Sequence, residues 1–194
     1  SLVFFNQAKN DTERQVYYAQ LLKASPRSKL HKMDKAQFRI FREWHHSVIL
    51  EMVALKDFRP IPEQISKRLR GLITPAQAME SLNLLLELGL LVKTANGYRQ
   101  SNPLITTDDE VQDTVVAMYH SQMLTLSQRM LNDLPGSERD VSALTFGIKR
   151  SDFVNLKKHL QLMRKELLDF SAKAGEAEEV VQINLQLFPL TRGV

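Results

Sequence analysis

Residues 74–100, TPAQAMESLNLLLELGLLVKTANGYRQ, constrain the fold more than any other stretch of the chain. Thr74 is a good helix N-cap, and Pro75 suits the first helical position. Gln77 stands three residues after the threonine, where it can close a capping box. Leucines recur through Leu88, and Gly89 then stops the helix as a left-handed terminal residue. Leu90–Lys93 and Tyr98–Gln100 read as two short strands, with Asn96-Gly97 favouring a tight turn between them. Upstream, Ile61–Arg70 reads as a short helix bracketed by Pro60 and Pro62 and ended at Gly71. Helix, turn, helix and β-hairpin in that order predict a winged helix.

The shape invites a DNA-binding role, but the charges do not follow. Thr74 to Leu88 contains no Lys or Arg, and it contains two acids, Glu80 and Glu87. The positive charge lies elsewhere. Residues 23–43 carry seven Lys/Arg against Asp34 and Glu43, whereas residues 100–194 carry ten basic and thirteen acidic side chains. The net charge of +4 therefore conceals a basic N-terminal zone and a mildly acidic C-terminal half. A basic zone attracts phosphate backbones without reading base sequence.

With 194 residues the chain is long enough to bury a real core. Apolar residues at 43% and charged residues at 25% are ordinary for a soluble domain. No apolar run is long enough for a membrane span, and no signal peptide is visible. The absence of cysteine excludes disulfides and Cys-ligated zinc and fits a reducing, cytoplasmic compartment. The chain opens on Ser-Leu-Val-Phe-Phe, a poor free terminus, so further residues are expected upstream.

Three regions are expected. Residues 1–33 read as helix followed by a basic linker rich in Ser and Pro. Residues 34–106 hold the winged helix, entered by a long helix over 35–55 with Phe38, Phe41, Val48, Ile49, Met52 and Val53 on its apolar face. Residues 107–194 begin with a helix from Asp108 to Leu134 whose stripe includes Val111, Val115, Met118, Tyr119, Gln122, Leu126 and Met130. A β-α-β unit follows. Leu144, Phe146 and Ile148 alternate as in a strand, and Phe153, Leu156, Leu160, Met163, Leu167 and Phe170 face one side of a helix. Val181, Ile183, Leu185 and Leu187 then alternate with polar residues. The fold class expected is α+β and mostly helical: a winged helix, a long helix and a C-terminal β-α-β unit. Two strands alone are marginal, so these should join others, from this chain or from a second copy.

Signatures of catalysis are absent. No phosphate-binding glycine loop, nucleophile elbow, kinase signature or zinc-protease motif occurs. His45 and His46 are adjacent, and neighbouring helical residues project about 100° apart, so their rings are not expected to converge on a metal. Packing of Trp44 and one histidine between helices is the simpler expectation. No catalytic residue, metal or cofactor is expected.

Several stretches together resemble a family of largely uncharacterised bacterial proteins. These are FREWHHSVILEMV, LLELGLLVKTANGYRQSNPLITT, MYHSQMLTLSQRML, ERDVSALTFGI and the terminal VVQINLQLFPLT. The resemblance covers nearly the whole chain, and INLQLFPL is its most specific part. Family members are described as C-terminal domains of unknown function in transcriptional regulators, common in predatory bacteria. Most carry an additional N-terminal helix-turn-helix of the phage-repressor type, and LVFFNQAKNDTERQVYYAQLL resembles the segment that follows it. Trp44, His46 and Glu51 fall on family motif positions, as do His120 and Arg139, and structural roles are expected for all five.

The function expected is therefore that of a transcriptional regulator. This chain would contribute a winged helix and a region for homodimerisation and signal reception. DNA contacts would come from Thr74, Gln77 and Ser81 nearest the groove and from Lys93 and Arg99 on the hairpin. Arg27, Lys29 and Lys32 would add non-specific attraction. The alternative is a protein–protein interaction module whose winged helix does not bind DNA. The sequence names no effector or operator.

Overall fold

The computed structural model describes residues 38–95, 97–101, 112–173 and 175–191, with side chains of its longest helix described from residue 117. Arg27, Lys29, Lys32, the expected N-terminal helices and the start of the long helix lie outside the described residues. The described chain is mostly helical with one two-stranded antiparallel sheet.

Residues 38–41 form a helical turn that breaks at Arg42, and helix α1 (Trp44–Met52) starts afresh after Glu43. The single helix expected over 35–55 is thus split. Glu43 is extended and provides no side-chain cap for α1. A residue far along the chain provides it instead. Gln122 Oε1 accepts from the Trp44 N–H at 2.7 Å, and the Gln122 amide donates to the Arg42 carbonyl at 2.6 Å. Both main-chain groups freed by the break are therefore satisfied.

Helix α2 (Pro62–Arg68) begins on proline and leaves through two left-handed residues, Arg70 at φ 55° and Gly71 at φ 69°. Helix α3 (Pro75–Glu87) has the expected capping box: the Gln77 N–H donates to Thr74 Oγ1, and the Thr74 N–H donates to Gln77 Oε1. Gly89, at φ 70°, ends it. Strands β1 (Leu91–Thr94) and β2 (Gly97–Gln100) pair with Thr94 opposite Gly97, so the turn closes one residue earlier than the Asn96-Gly97 position the sequence favours. Helix α4 (Gln112–Asp133) and helix α5 (Phe153–Ala172) follow, with short 3-10 turns at Gly136–Glu138 and Arg150–Asp152.

The core is built where α1, α2, α3 and β1 meet. Ile49, Ile65, Leu82, Leu85 and Leu91 are its fully buried centre, and Met123 is buried on α4. Among the described residues, every buried apolar side chain lies between Ile40 and Met123. The C-terminal third is different. Residues 140–148 and 177–189 join no strand ladder among the described residues. Each is tethered separately. The Arg139 guanidinium donates to the Leu134 carbonyl at the end of α4. The Ala177 carbonyl accepts from the Lys56 N–H, and the Glu178 carbonyl accepts from Arg68. On the apolar face expected along 181–187, Val181, Ile183 and Leu185 are exposed and Leu187 is half-buried, while the Asn184 amide donates to Met123 O and Ser127 Oγ on α4. On the expected apolar face of α5, Phe153, Leu156 and Leu160 are half-buried, whereas Met163, Leu167 and Phe170 are exposed.

Candidate nucleic-acid interface

Helix α3 is the helix from which the sequence predicts groove contacts, so its two faces decide what it can do. Ala78, Ser81, Leu82 and Leu85 recur at three- and four-residue steps and form the buried face. Gln77, Met79, Glu80, Asn83 and Glu87 form the exposed one. The exposed face thus carries two carboxylates and no cation.

The expected groove contacts fare differently. Thr74 and Gln77 are exposed, but each is committed to the other: Thr74 Oγ1 lies within hydrogen-bond reach of Gln77 Oε1 at 3.1 Å as well as of the Gln77 N–H. The Gln77 carboxamide oxygen is therefore used, and its NH2 remains as a donor. Ser81 is a correction. It is 0% exposed, because its place in the 78-81-82-85 stripe points it at the core. Its hydroxyl donates to the Gln77 carbonyl at 2.8 Å. It also stands 2.8 Å from Nδ1 of both His45 and His46. With the single hydroxyl proton spent on Gln77, both Nδ1 atoms must carry hydrogen and donate to Ser81 Oγ.

The two imidazoles therefore meet on a shared hydroxyl. The acceptor lies between the two directions in which they project, and the rings meet edge to face with centroids 4.6 Å apart. Both histidines, and not one, are buried. Desolvation lowers His45 below the ordinary imidazole range, partly offset by the nearby Glu80 carboxylate. Desolvation first, then His45, Arg42 and Arg39, push His46 down to about 4. The cluster is a neutral polar bolt between α1 and α3. Among the described residues, no group of three or more His, Asp or Glu is arranged to hold a metal ion.

A second fastening lies on the rim. Arg39 donates through both terminal nitrogens to Glu87, at 2.6 and 2.7 Å. The hydrogen bonds from Arg39 hold the Glu87 carboxyl below its usual range, and Glu87 in turn raises Arg39. This takes one guanidinium of the basic zone out of play. On the hairpin, Lys93 pairs with Tyr98 and Arg99 with Val92. Successive pairs point to opposite faces of a two-stranded ribbon, so Lys93 and Arg99 are both exposed but on different sides.

Three of the five motif residues make defined hydrogen bonds. The main-chain N–H of Trp44 takes the Gln122 cap, His46 holds Ser81, and Arg139 closes α4. His120 is exposed beside Tyr119, and Glu51 is exposed on α1, its carboxyl pushed up by partial desolvation. Residues 24–190 match the family model described as a domain of unknown function, DUF4423. The chain belongs to the DUF4423 family. No curated protein and no solved structure matches it. The match takes in the helical core, α4 and the C-terminal third, so the DUF4423 unit includes the exposed 140–190 region as well as the packed 38–123 one. Among the described residues of this DUF4423 chain, no helix is long and apolar enough to cross a membrane.

Sequence reasoning missed the Ser81 bolt and the Arg39–Glu87 pair. The first had a signal, since Ser81 falls on the inward stripe of α3. The second had none, because its partners are 48 residues apart on separate elements.

Proposed function

We propose that this DUF4423 chain is part of a cytoplasmic transcriptional regulator, with residues 34–106 forming a winged-helix domain and residues 107–194 a region for homodimerisation and signal reception. The observation that supports the winged helix is the packing of α1, α2, α3 and the β1–β2 hairpin on one buried core, in that chain order. In this reading α3 serves chiefly as a packing element. Direct DNA contact falls to the hairpin cations Lys93 and Arg99 and to Arg27, Lys29 and Lys32 upstream, all of which would engage phosphates and not base edges. No reaction is assigned to His46 or His120.

The second reading, an interaction module whose winged helix never meets DNA, draws on a specific observation. Glu80 and Glu87 occupy the exposed face of α3, and Ser81 is locked inside. A carboxylate beside a phosphate is repelled, and a reading helix normally has Lys or Arg at its edges. Fluorescence-polarisation titration of the chain with duplex DNA at about 50 and 200 mM salt separates the two, because phosphate contacts release counterions and weaken steeply with salt. Binding at low salt that collapses at high salt fits the first reading. A flat titration at low salt leaves the second.

A further inference from the structure

The C-terminal third presents an apolar surface that its own chain, over the described residues, leaves open. Leu144 is 87% exposed, Phe170 75% and Val181 75%, and Phe146, Leu168 and Ile183 are each more than half exposed. Single exposed leucines are unremarkable, but here successive segments leave most of their large apolar residues exposed, with Val180 packed partly on the core.

The chemistry of the two non-helical segments says what docks. Residues 141–148, VSALTFGI, and 180–190, VVQINLQLFPL, contain no charged residue. Edges of monomeric sheets are normally guarded by lysine, by charge or by a bulge. An unguarded, uncharged segment can meet an identical copy of itself without like-charge repulsion, whereas it offers a charged partner nothing to pair with. Apart from Ala177 and Lys149 at their margins, these segments make no main-chain hydrogen bond to other main chain among the described residues, so their solvated donors and acceptors are open to a pairing strand. The second segment is held to α4 by its polar Asn184, and Val181, Ile183, Leu185, Phe188 and Leu190 stay exposed along it.

The area is sufficient. A stable interface needs about 800 Å² per partner; Phe146, Phe170 and Phe188, exposed by 59, 75 and 64% of side chains that bury about 150–250 Å² each, supply a large share of it, and the exposed aliphatic residues of 141–148 and 180–190 add the rest.

We infer that residues 140–190 form a two-fold interface with a second copy of this chain, in which segments 141–148 and 180–188 complete a β-sheet shared between the copies and the apolar stripe of α5 packs over it. A two-fold axis suits this, because the same patch serves both subunits. The inference rests on the dimerisation reading above and gives it a surface and a structure.

The test uses the whole chain. Sedimentation velocity measures self-association of the wild type and of the double variant Val181→Glu, Phe170→Glu, while hydrogen exchange follows the amides of the two segments. Both substituted positions are exposed in the single chain, so the 38–123 core should keep its own amide protection in the variant. The expected result is a wild-type dimer with protected segment amides, and a variant whose dimer is weaker by on the order of 100-fold and whose segment amides exchange freely. A wild-type dimer untouched by the substitutions, or one with unprotected segments, overturns the inference and leaves the dimeric reading standing. A wild type that stays monomeric at about 100 µM overturns both, including the case where the segments are protected because the chain covers itself.

Discussion

Ser81 Oγ lies 2.8 Å from Nδ1 of His46, and this bond joins the buried face of α3 to the first turn of α1. His45 makes the same bond from the other side. Ser81→Ala would leave two buried imidazole N–H groups without an acceptor. A buried donor left unpaired costs about 1–3 kcal/mol, so the variant should lose about 2 kcal/mol or more in urea unfolding, with an unchanged denaturant slope. Asn83→Ala, two positions along on the exposed face, should stay within about 0.5 kcal/mol of the wild type. Equal effects at the two positions would show that the serine is not a bolt.

The same cluster makes stability depend on pH in a definite direction. Desolvation keeps His46 at about 4 in the folded chain, against 6.5 ordinarily, and His45 is lowered for the same first reason. Above 6.5 both states are neutral and these groups contribute no slope. As pH falls from 6.5 towards 4, the unfolded chain takes up protons that the folded chain refuses, so stability falls. The limit is about 1.4 kcal/mol per pH unit for each histidine. Urea midpoints at pH 7.5, 6 and 5 should decline, and His46→Gln should decline less steeply whatever its absolute stability. A midpoint constant across that range would contradict the burial of neutral imidazoles.

The parts of the fold legible in the sequence are those written in local chemistry. Thr74, Pro75, Gln77 and Gly89 delimit α3 by capping and left-handed geometry alone, and the hairpin was off by one residue. What was not legible depends on distant partners. The break at Arg42-Glu43 is stabilised by Gln122, 78 residues from Trp44, and no local pattern encodes that. Alternation in 181–187 marks an apolar face in the sequence, but period alone cannot say whether that face turns to its own core or outward. At the candidate interface, the missing cations of α3 were plain in the sequence, whereas the burial of Ser81 required combining its helical phase with the histidines of α1.

Gln122 offers a test of long-range capping. Its side chain bonds both Trp44 N–H and Arg42 C=O, and Tyr119, one turn earlier on α4, approaches Ser47 at 3.1 Å and Phe41 edge to face at 5.2 Å. Burial pushes the Tyr119 hydroxyl up, in keeping with its position in the seam. Gln122→Ala removes the only cap α1 has at its N-terminus among the described residues. Loss of an N-cap costs about 1 kcal/mol, and the freed carbonyl adds to it, so thermal or urea unfolding should show a loss of about 1–2 kcal/mol. His120→Ala, on the neighbouring exposed position, should be close to neutral. Hydrogen exchange should locate the effect at α1, with faster exchange of the Trp44 and His45 amides and no change in α3.

The hairpin cations separate phosphate attraction from base reading. Lys93 and Arg99 lie on opposite faces of the ribbon, so a hairpin lying in a groove would offer one cation to each flanking backbone. If the chain binds DNA through the hairpin, replacing either cation with Ala should weaken binding to all sequences alike and reduce the salt slope by about one. Gln77→Ala disturbs the capping box and should lower stability, but on the proposed reading it leaves relative affinities for different duplexes unchanged. Polarisation titrations of the three variants against two unrelated duplexes measure each of these. A sequence-selective loss in Gln77→Ala would establish α3 as a reader of base edges and refute its assignment as a packing element.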